Sequence, residues 1–239
     1  MLELAERAVT GLPAKLAHAS YAEAPDVLAE MGVERLDGVL LDLGLSSDQL
    51  AWEDRGFSFA TDGPLDMRFD PRIKTTAADL VNRLPAEELA NVIYEYGEER
   101  FSRRIARKIV ETRRLRPILT TAQLADLVRR VVPRTKPHSK RGSIDPATRT
   151  FQALRIRVNQ ELDQLEEALA FLAELLKPGG RAVILSFHSL EDRMVKNAFR
   201  SDSRWKILTK KPLTAAPEEI DANPRARSAK LRAAERCAS

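Results

Sequence analysis

Two short segments combine residue types and spacing suited to chemistry. Leu40-Leu41-Asp42-Leu43-Gly44-Leu45-Ser46-Ser47 sets a carboxylate directly after an apolar run, with a glycine two residues on. A carboxylate there can accept hydrogen bonds from an amine or a ribose hydroxyl, and the glycine lets backbone approach a ligand. The same pattern also caps turns. Ser186-Phe187-His188-Ser189-Leu190-Glu191-Asp192-Arg193 sets an imidazole after a second apolar run. His188 can orient a substrate or shuttle a proton near neutral pH, although a lone histidine at a strand end is more often structural. No His, Cys, Asp and Glu spacing resembles a metal site, so no metal is expected. No phosphate-binding Gly-rich loop, dinucleotide fingerprint or serine elbow occurs.

Further polar residues flank these segments. On the helix after Asp145, Gln152, Arg155 and Asn159 form a polar stripe beside an apolar one, suited to a substrate backbone or to a buried network. Phe57 and Phe59, in Arg55-Gly56-Phe57-Ser58-Phe59, can stack on a base or pin their loop to a core. Net charge is +4, but it is uneven: residues 94–141 hold 14 Lys/Arg against 5 Asp/Glu, and residues 200–236 hold 10 against 5. Such blocks suit a polyanion beside a different kind of site. Arg103, Arg104, Arg107 and Lys108 recur along one helix, and Lys136, His138, Lys140 and Arg141 extend the charge into the next loop. These residues are suited to phosphates, which set salt-dependent affinity rather than sequence choice.

Several elements must position these groups. Residues 2–10 read as the end of an amphipathic helix, Ala14–Ala19 as a weak strand, and Ser20 as a cap for a helix over Pro25–Met31. Leu36–Asp42 and Arg181–Phe187 read as buried strands. Residues 43–75 lack periodicity, and a loop that long is usually functional or disordered. Helices follow from about 76 to 132. Asp145 and Pro146 then open a long helix. Phe151, Leu154, Val158, Leu162, Leu165, Leu169, Leu172 and Leu176 give it one stripe over seven turns, stopped by Lys177-Pro178-Gly179-Gly180. Ser189 is placed to cap another helix, and Trp205–Lys211 and Ser228–Glu235 read as final strands. This order predicts an α/β domain carrying a helical insertion, with ligands at the C-terminal ends of its strands.

The 239 residues suffice for a sizeable core, and the single Cys237 excludes a disulfide framework. No apolar run approaches the ~18 residues of a membrane span. The first residues carry acids and no apolar h-region, so they do not read as a signal peptide. The expectation is a cytoplasmic protein without a membrane partner.

Seven motifs in order resemble the bacterial 16S ribosomal RNA cytosine-N4 methyltransferases. They are Leu41-Asp42-Leu43-Gly44-Leu45-Ser46-Ser47-x-Gln49-Leu50, Arg55-Gly56-Phe57-Ser58-Phe59, Gly63-Pro64-Leu65-Asp66-Met67-Arg68, Tyr96-Gly97-Glu98-Glu99-Arg100-Phe101, the run Asp145–Ile156, Ser186–Arg193 and Asn223–Ser228. The resemblance implies a Rossmann-like S-adenosylmethionine-dependent methyltransferase domain with an inserted all-helical domain. It places the first methyltransferase part at 1–70, the helical insertion at 71–145 and the second part at 146–239. It implies S-adenosylmethionine as cofactor, bound by Tyr21, Asp42 and Gln49. The implied reaction is methyl transfer to a cytosine N4 in the decoding region, with Asp42, His188 and Ser186 as catalytic residues. It implies 16S rRNA in the small ribosomal subunit as partner, contacted by Arg103, Arg104, Arg107, Lys108, Lys140, Arg141 and Arg155. A homodimer stays open. The family also begins with a strand, a loop containing Gly-Gly-His and a second strand ending in an acid, none of which is matched here. The methyltransferase domain is therefore expected to be N-terminally incomplete, with the Ala14–Ala19 strand short of its neighbour and an apolar surface uncovered. An RNA-binding fragment without activity, and a relative acting on another substrate such as DNA, are the alternatives.

Overall fold

The computed structural model describes residues 2–46, 53–133 and 145–238. It divides into two compact units. One comprises residues 1–44 together with 162–239, and the other the continuous segment 45–161. These limits differ from the expected 70/71 and 145/146. The reason is local: the long loop and the helix after Asp145 pack among the helices of the second unit.

The first unit is a mixed α/β structure. Its chain-order elements are α1 (Leu2–Ala8), α2 (Ala24–Glu30) and β1 (Leu36–Asp42). After the helical unit come α8 (Glu161–Leu175, whose first residue belongs to that unit), β2 (Leu176–Ser186), α9 (Ser189–Ser201), β3 (Trp205–Ile207), β4 (Leu213–Thr214), α10 (Pro217–Ala222) and β5 (Lys230–Arg236). The sheet order is β1-β2-β5-β3, with β4 also paired to β5. Among the described residues only the β1–β2 ladder is parallel; the others are antiparallel. β2 is central and alternates, burying Ala182, Ile184 and Ser186 on one face. That face joins Leu43, Leu165, Leu172, Leu176, Val195, Phe199 and Trp205 in one core.

Three expectations change in this unit. Leu36–Asp42 is a strand, but an edge strand, so Leu40 stands 66% exposed instead of buried. Residues 14–19 form no strand, for they have no ladder partner among the described residues, and three alanines and one leucine offer little to bury. The Lys177-Pro178-Gly179-Gly180 segment is not a helix stop outside the sheet. It forms an irregularity within β2, where Leu36 faces Leu176 but Gly38 already faces Arg181. Gly179, at φ 80°, supplies a left-handed turn there.

The second unit is helical: α3 (Ala77–Arg83), α4 (Ala86–Gly97), α5 (Ser102–Arg113), α6 (Thr121–Val131) and α7 (Ala147–Asn159). Thr76 with Asp79 and Thr120 with Gln123 form capping boxes that start α3 and α6. Leu80, Leu89, Ile93, Ile105, Ile109, Leu124, Val128 and Leu154 share its core. Pro146, not Asp145, is the N-cap of α7; Asp145, one residue earlier, accepts from the Ala147 N–H at 2.8 Å. The long helix, however, is two. Gln160 adopts a left-handed φ of 52° and ends α7; α8 begins at the next residue. The single apolar stripe thereby serves two cores: Phe151, Leu154 and Val158 enter the helical one, and Leu165, Leu172 and Leu176 the sheet-bearing one. No helix among the described residues is long and apolar enough to cross a membrane.

Candidate functional site

The parallel register sets Asp42 opposite Leu185, so β1 and β2 end side by side. The Leu43 N–H donates to Leu185 O at 3.1 Å and holds the two ends together. Leu43 is buried in the core beneath, whereas the preceding Asp42 is exposed. Among the described residues, Asp42 has no ion-pair or hydrogen-bond partner. Gly44 follows at φ 89°, and a Cβ there would lie 3.8 Å from the Phe187 ring. The left-handed turn makes glycine the favoured residue. A free carboxylate at the C-terminal end of a parallel strand suits hydroxyl and amine donors.

The neighbouring strand end is more tightly bound. Ser186 is 2% exposed, and its hydroxyl donates to Lys230 O at 3.3 Å. His188, rather than Ser189, is the N-cap of α9: its Nδ1 accepts from the Glu191 N–H at 3.3 Å. Glu191 answers by accepting from the N–H groups of Phe187 at 2.8 Å and His188 at 3.3 Å. The His188 side chain is 7% exposed. Its Nε2 lies 3.2 Å from Glu191 Oε1 but out of line for a hydrogen bond. This imidazole therefore has a structural task, shaping the turn beside Asp42. Sequence reasoning missed that Glu191 holds the strand-to-helix turn. The signal was present as an acid three residues after the cap.

Tyr21 sits in a one-turn 3₁₀ helix, Tyr21–Glu23, started by a Ser20–Glu23 capping box. It is half-buried against the same core as Leu43. The Ser20 hydroxyl donates to Gln164 Oε1 at 2.5 Å and ties this turn to α8. Tyr21 and Asp42 thus flank one core, whereas Gln49 lies outside the described residues. Asp192 accepts from Arg232 at 2.6 Å and Lys230 at 3.3 Å. Burial raises the Asp192 pKa, but Arg232 and then Lys230 outweigh it, holding the carboxyl below its usual range. Two cations at alternate positions of β5, opposite an acid in a first helical turn, were the overlooked signal.

In the helical unit, Arg103, Arg104, Arg107 and Lys108 all lie exposed on α5, while Ile105, Ala106 and Ile109 are buried. Lys108 has an exposed partner in Glu111 at 3.3 Å. Arg100 and Arg104 sit over the Phe101 ring at 4.6 and 5.7 Å. Lys140 and Arg141, with Lys136 and His138, lie outside the described residues.

The polar stripe of α7 resolves as a buried network. Arg155 meets Glu161 through two 2.8 Å hydrogen bonds, with the two side chains 19% and 6% exposed. The guanidinium expected to contact RNA is thus turned onto a carboxylate. Gln152 donates to Tyr96 O at 3.0 Å. Asn159 donates to Met67 O and accepts from the Phe69 N–H, both at 2.7 Å. The Phe57 ring packs on Phe69 at 5.5 Å, and the Phe59 ring meets Phe151 edge-on at 4.7 Å. Both aromatics therefore pin the loop to the helices.

Comparison with known proteins supplies what geometry alone does not. The model of the MraW methylase family matches residues 1–237. A protein of Geobacter sp. (strain M21) named ribosomal RNA small subunit methyltransferase H is 48% identical, over 95% of this chain and 78% of its own length. Proteins of the same name from Acidobacterium capsulatum and Cyanothece sp. are 56% and 58% identical, over 94% and 87% of this chain and 74% and 68% of theirs. With a match along nearly its full length, the chain belongs to the MraW methylase family and is a methyltransferase.

Proposed function

We propose that this methyltransferase uses S-adenosylmethionine to methylate the exocyclic N4 of a cytosine in the decoding region of 16S rRNA. The observation that carries the reading is Asp42: an exposed carboxylate without a partner among the described residues, at the end of a parallel strand, beside Gly44. The relatives' shared name supports the substrate class. Tyr21 and Asp42 fit the cofactor chemically, one as an aromatic surface and the other as an acceptor for hydroxyl or amine donors.

When bound, S-adenosylmethionine supplies an electrophilic sulfonium methyl. The cytosine amine is a weak nucleophile because its lone pair is delocalised into the ring. Asp42 accepts hydrogen bonds from the amine protons, which favours a more pyramidal nitrogen and steadies the charge that develops on it. Ser186 and His188 act as positioning residues: they fix the turn that carries Phe187 beside Gly44, and so the space in which a base is held. The target base must leave its stack to reach such a site. The exposed cations of α5 hold the RNA backbone through its phosphates.

Removing the Asp42 charge tests this. A hydrogen bond to a charged group contributes about 1.5–3 kcal/mol. Asp42→Asn should therefore lower methyl incorporation into small subunits, taken from a strain lacking the enzyme, by roughly 10- to 100-fold. Calorimetric titration with S-adenosylmethionine reads the cofactor share of that loss. Intact affinity together with intact turnover would remove Asp42 from the site. RNA binding by the parent without cofactor binding would favour an inactive RNA-binding protein, and methylation of DNA alone would redirect the substrate.

A further inference from the structure

α9, β3 and β5 enclose a second concave site in the sheet-bearing unit. It is an open concavity lined by Lys196, Phe199, Arg200, Ile207, Thr209, Lys210 and Arg232. The arrangement follows from the local sequence. Lys196 and Arg200 are four residues apart on α9 and so share one face. Phe199 faces the core, 3% exposed, with its ring 5.2 Å from Trp205 at the start of β3. Thr209 is fixed against β5: its backbone N–H donates to Ala233 O at 3.2 Å, and its hydroxyl accepts from the Ala233 N–H at 2.9 Å. Lys210 follows at once and is exposed, as is Arg200, while Lys196 is half-buried.

The charges in this pocket are unequal. Arg232 is 6% exposed and its guanidinium is taken up by Asp192 at 2.6 Å, so it forms a neutralised wall. Among the described residues, Lys196, Arg200 and Lys210 have no carboxylate within ion-pair distance and no hydrogen-bond partner. Three unmatched cations around a partly apolar floor make a surface for an anion that also carries a hydrophobic portion. A phosphodiester with its sugar and base has that composition, and a phosphate group is what converging Lys and Arg side chains recognise. The basic block at 200–236, which the proposed chemistry does not use, thereby acquires a role.

We propose that this pocket is a phosphate-binding subsite for an RNA backbone, additional to the cationic face of α5; it rests on the reading of RNA as substrate. Each phosphate neutralised on a single strand contributes about 0.7 to the slope of log affinity against log salt. Three contacts therefore contribute about two, on the order of 100-fold in affinity at about 0.1 M salt.

The test is fluorescence anisotropy of a short single-stranded RNA with the full chain, at salt from about 50 to 200 mM. The variant Lys196→Ala/Arg200→Ala/Lys210→Ala should bind up to about 100-fold more weakly and lose about two from the slope. Lys196→Arg/Lys210→Arg should keep the parent slope, which separates charge from loss of fold. Arg103→Glu/Arg107→Glu reports the α5 face separately. An unchanged slope in the triple-alanine variant, with the parent binding RNA, overturns the subsite and leaves the RNA reading intact. No RNA binding by the parent at low salt overturns both. Calorimetric binding of inorganic phosphate that is lost in the triple variant, with RNA binding unaffected, assigns the pocket to a free anion and overturns the RNA-backbone proposal.

Discussion

Replacing Asn159 by alanine should loosen the long loop by an amount the structure lets us bound. Asn159 is 2% exposed at the end of α7 and closes two contacts of 2.7 Å, to Met67 O and from the Phe69 N–H. Without its side chain, both groups lose their partner. A buried polar group left unsatisfied costs about 1–3 kcal/mol. Met67 is 1% exposed and bears close to the full penalty, whereas Phe69 is half-buried and water can replace part of its loss. Met67 also holds a left-handed φ of 64°, a conformation that costs a side-chain-bearing residue roughly 1–2 kcal/mol. Relaxation of that strain returns some of the loss. The net destabilisation is about 3 kcal/mol, equivalent to roughly 6–12 °C in Tm for a chain of this size. Urea denaturation reads it as a lower midpoint at constant slope. Asn159→Asp provides the control. It keeps an acceptor for Phe69 but points a carboxylate at the Met67 carbonyl, so it should be at least as unstable at neutral pH and recover as acid protonates it. A loss below about 1 kcal/mol for Asn159→Ala would refute the view that this side chain holds the loop.

Two further outcomes follow from the packing. A Cβ on Gly97 would lie 2.5 Å from Arg149 O, so Gly97→Ala must push α4 and α7 apart, at about 1–3 kcal/mol by the same denaturation measurement. Asp192 shares its carboxylate between Arg232 and Lys230, which together hold its pKa below the ordinary 3.8. Its stabilising contribution is therefore present above that value and lost as pH falls through the lower folded one. Asp192→Asn leaves Arg232 buried without its counter-charge. It should cost about 3–5 kcal/mol at neutral pH, and the gap to the parent should close in acid denaturation curves as pH falls through the lowered pKa of the folded carboxyl.

The sequence by itself determined much of the local structure. Asp145-Pro146, Thr76 with Asp79, and Thr120 with Gln123 carry their helix starts in their own side chains, because a cap is satisfied within a few residues. The apolar runs before Asp42 and His188 specified strands, since a short apolar run bounded by polar and glycine residues has few other folds. The motifs identified a methyltransferase because their order reflects chemistry common to the family. Tertiary structure decided the rest. The periodic stripe from Phe151 to Leu176 does not reveal that Gln160 turns left-handed and divides it between two cores, because periodicity reports which face is apolar and not what covers it. Arg155 reads as either a substrate contact or part of a buried network until Glu161 is seen closing on it, six residues beyond, across that same turn. Leu40 reads as buried until the sheet leaves β1 at its edge. The pocket of Lys196, Arg200 and Lys210 exists only because β3 and β5 bring Lys210 beside α9. In each case the deciding contact joins residues whose separation along the chain says nothing of their distance in space, and burial and charge pairing are settled by that distance.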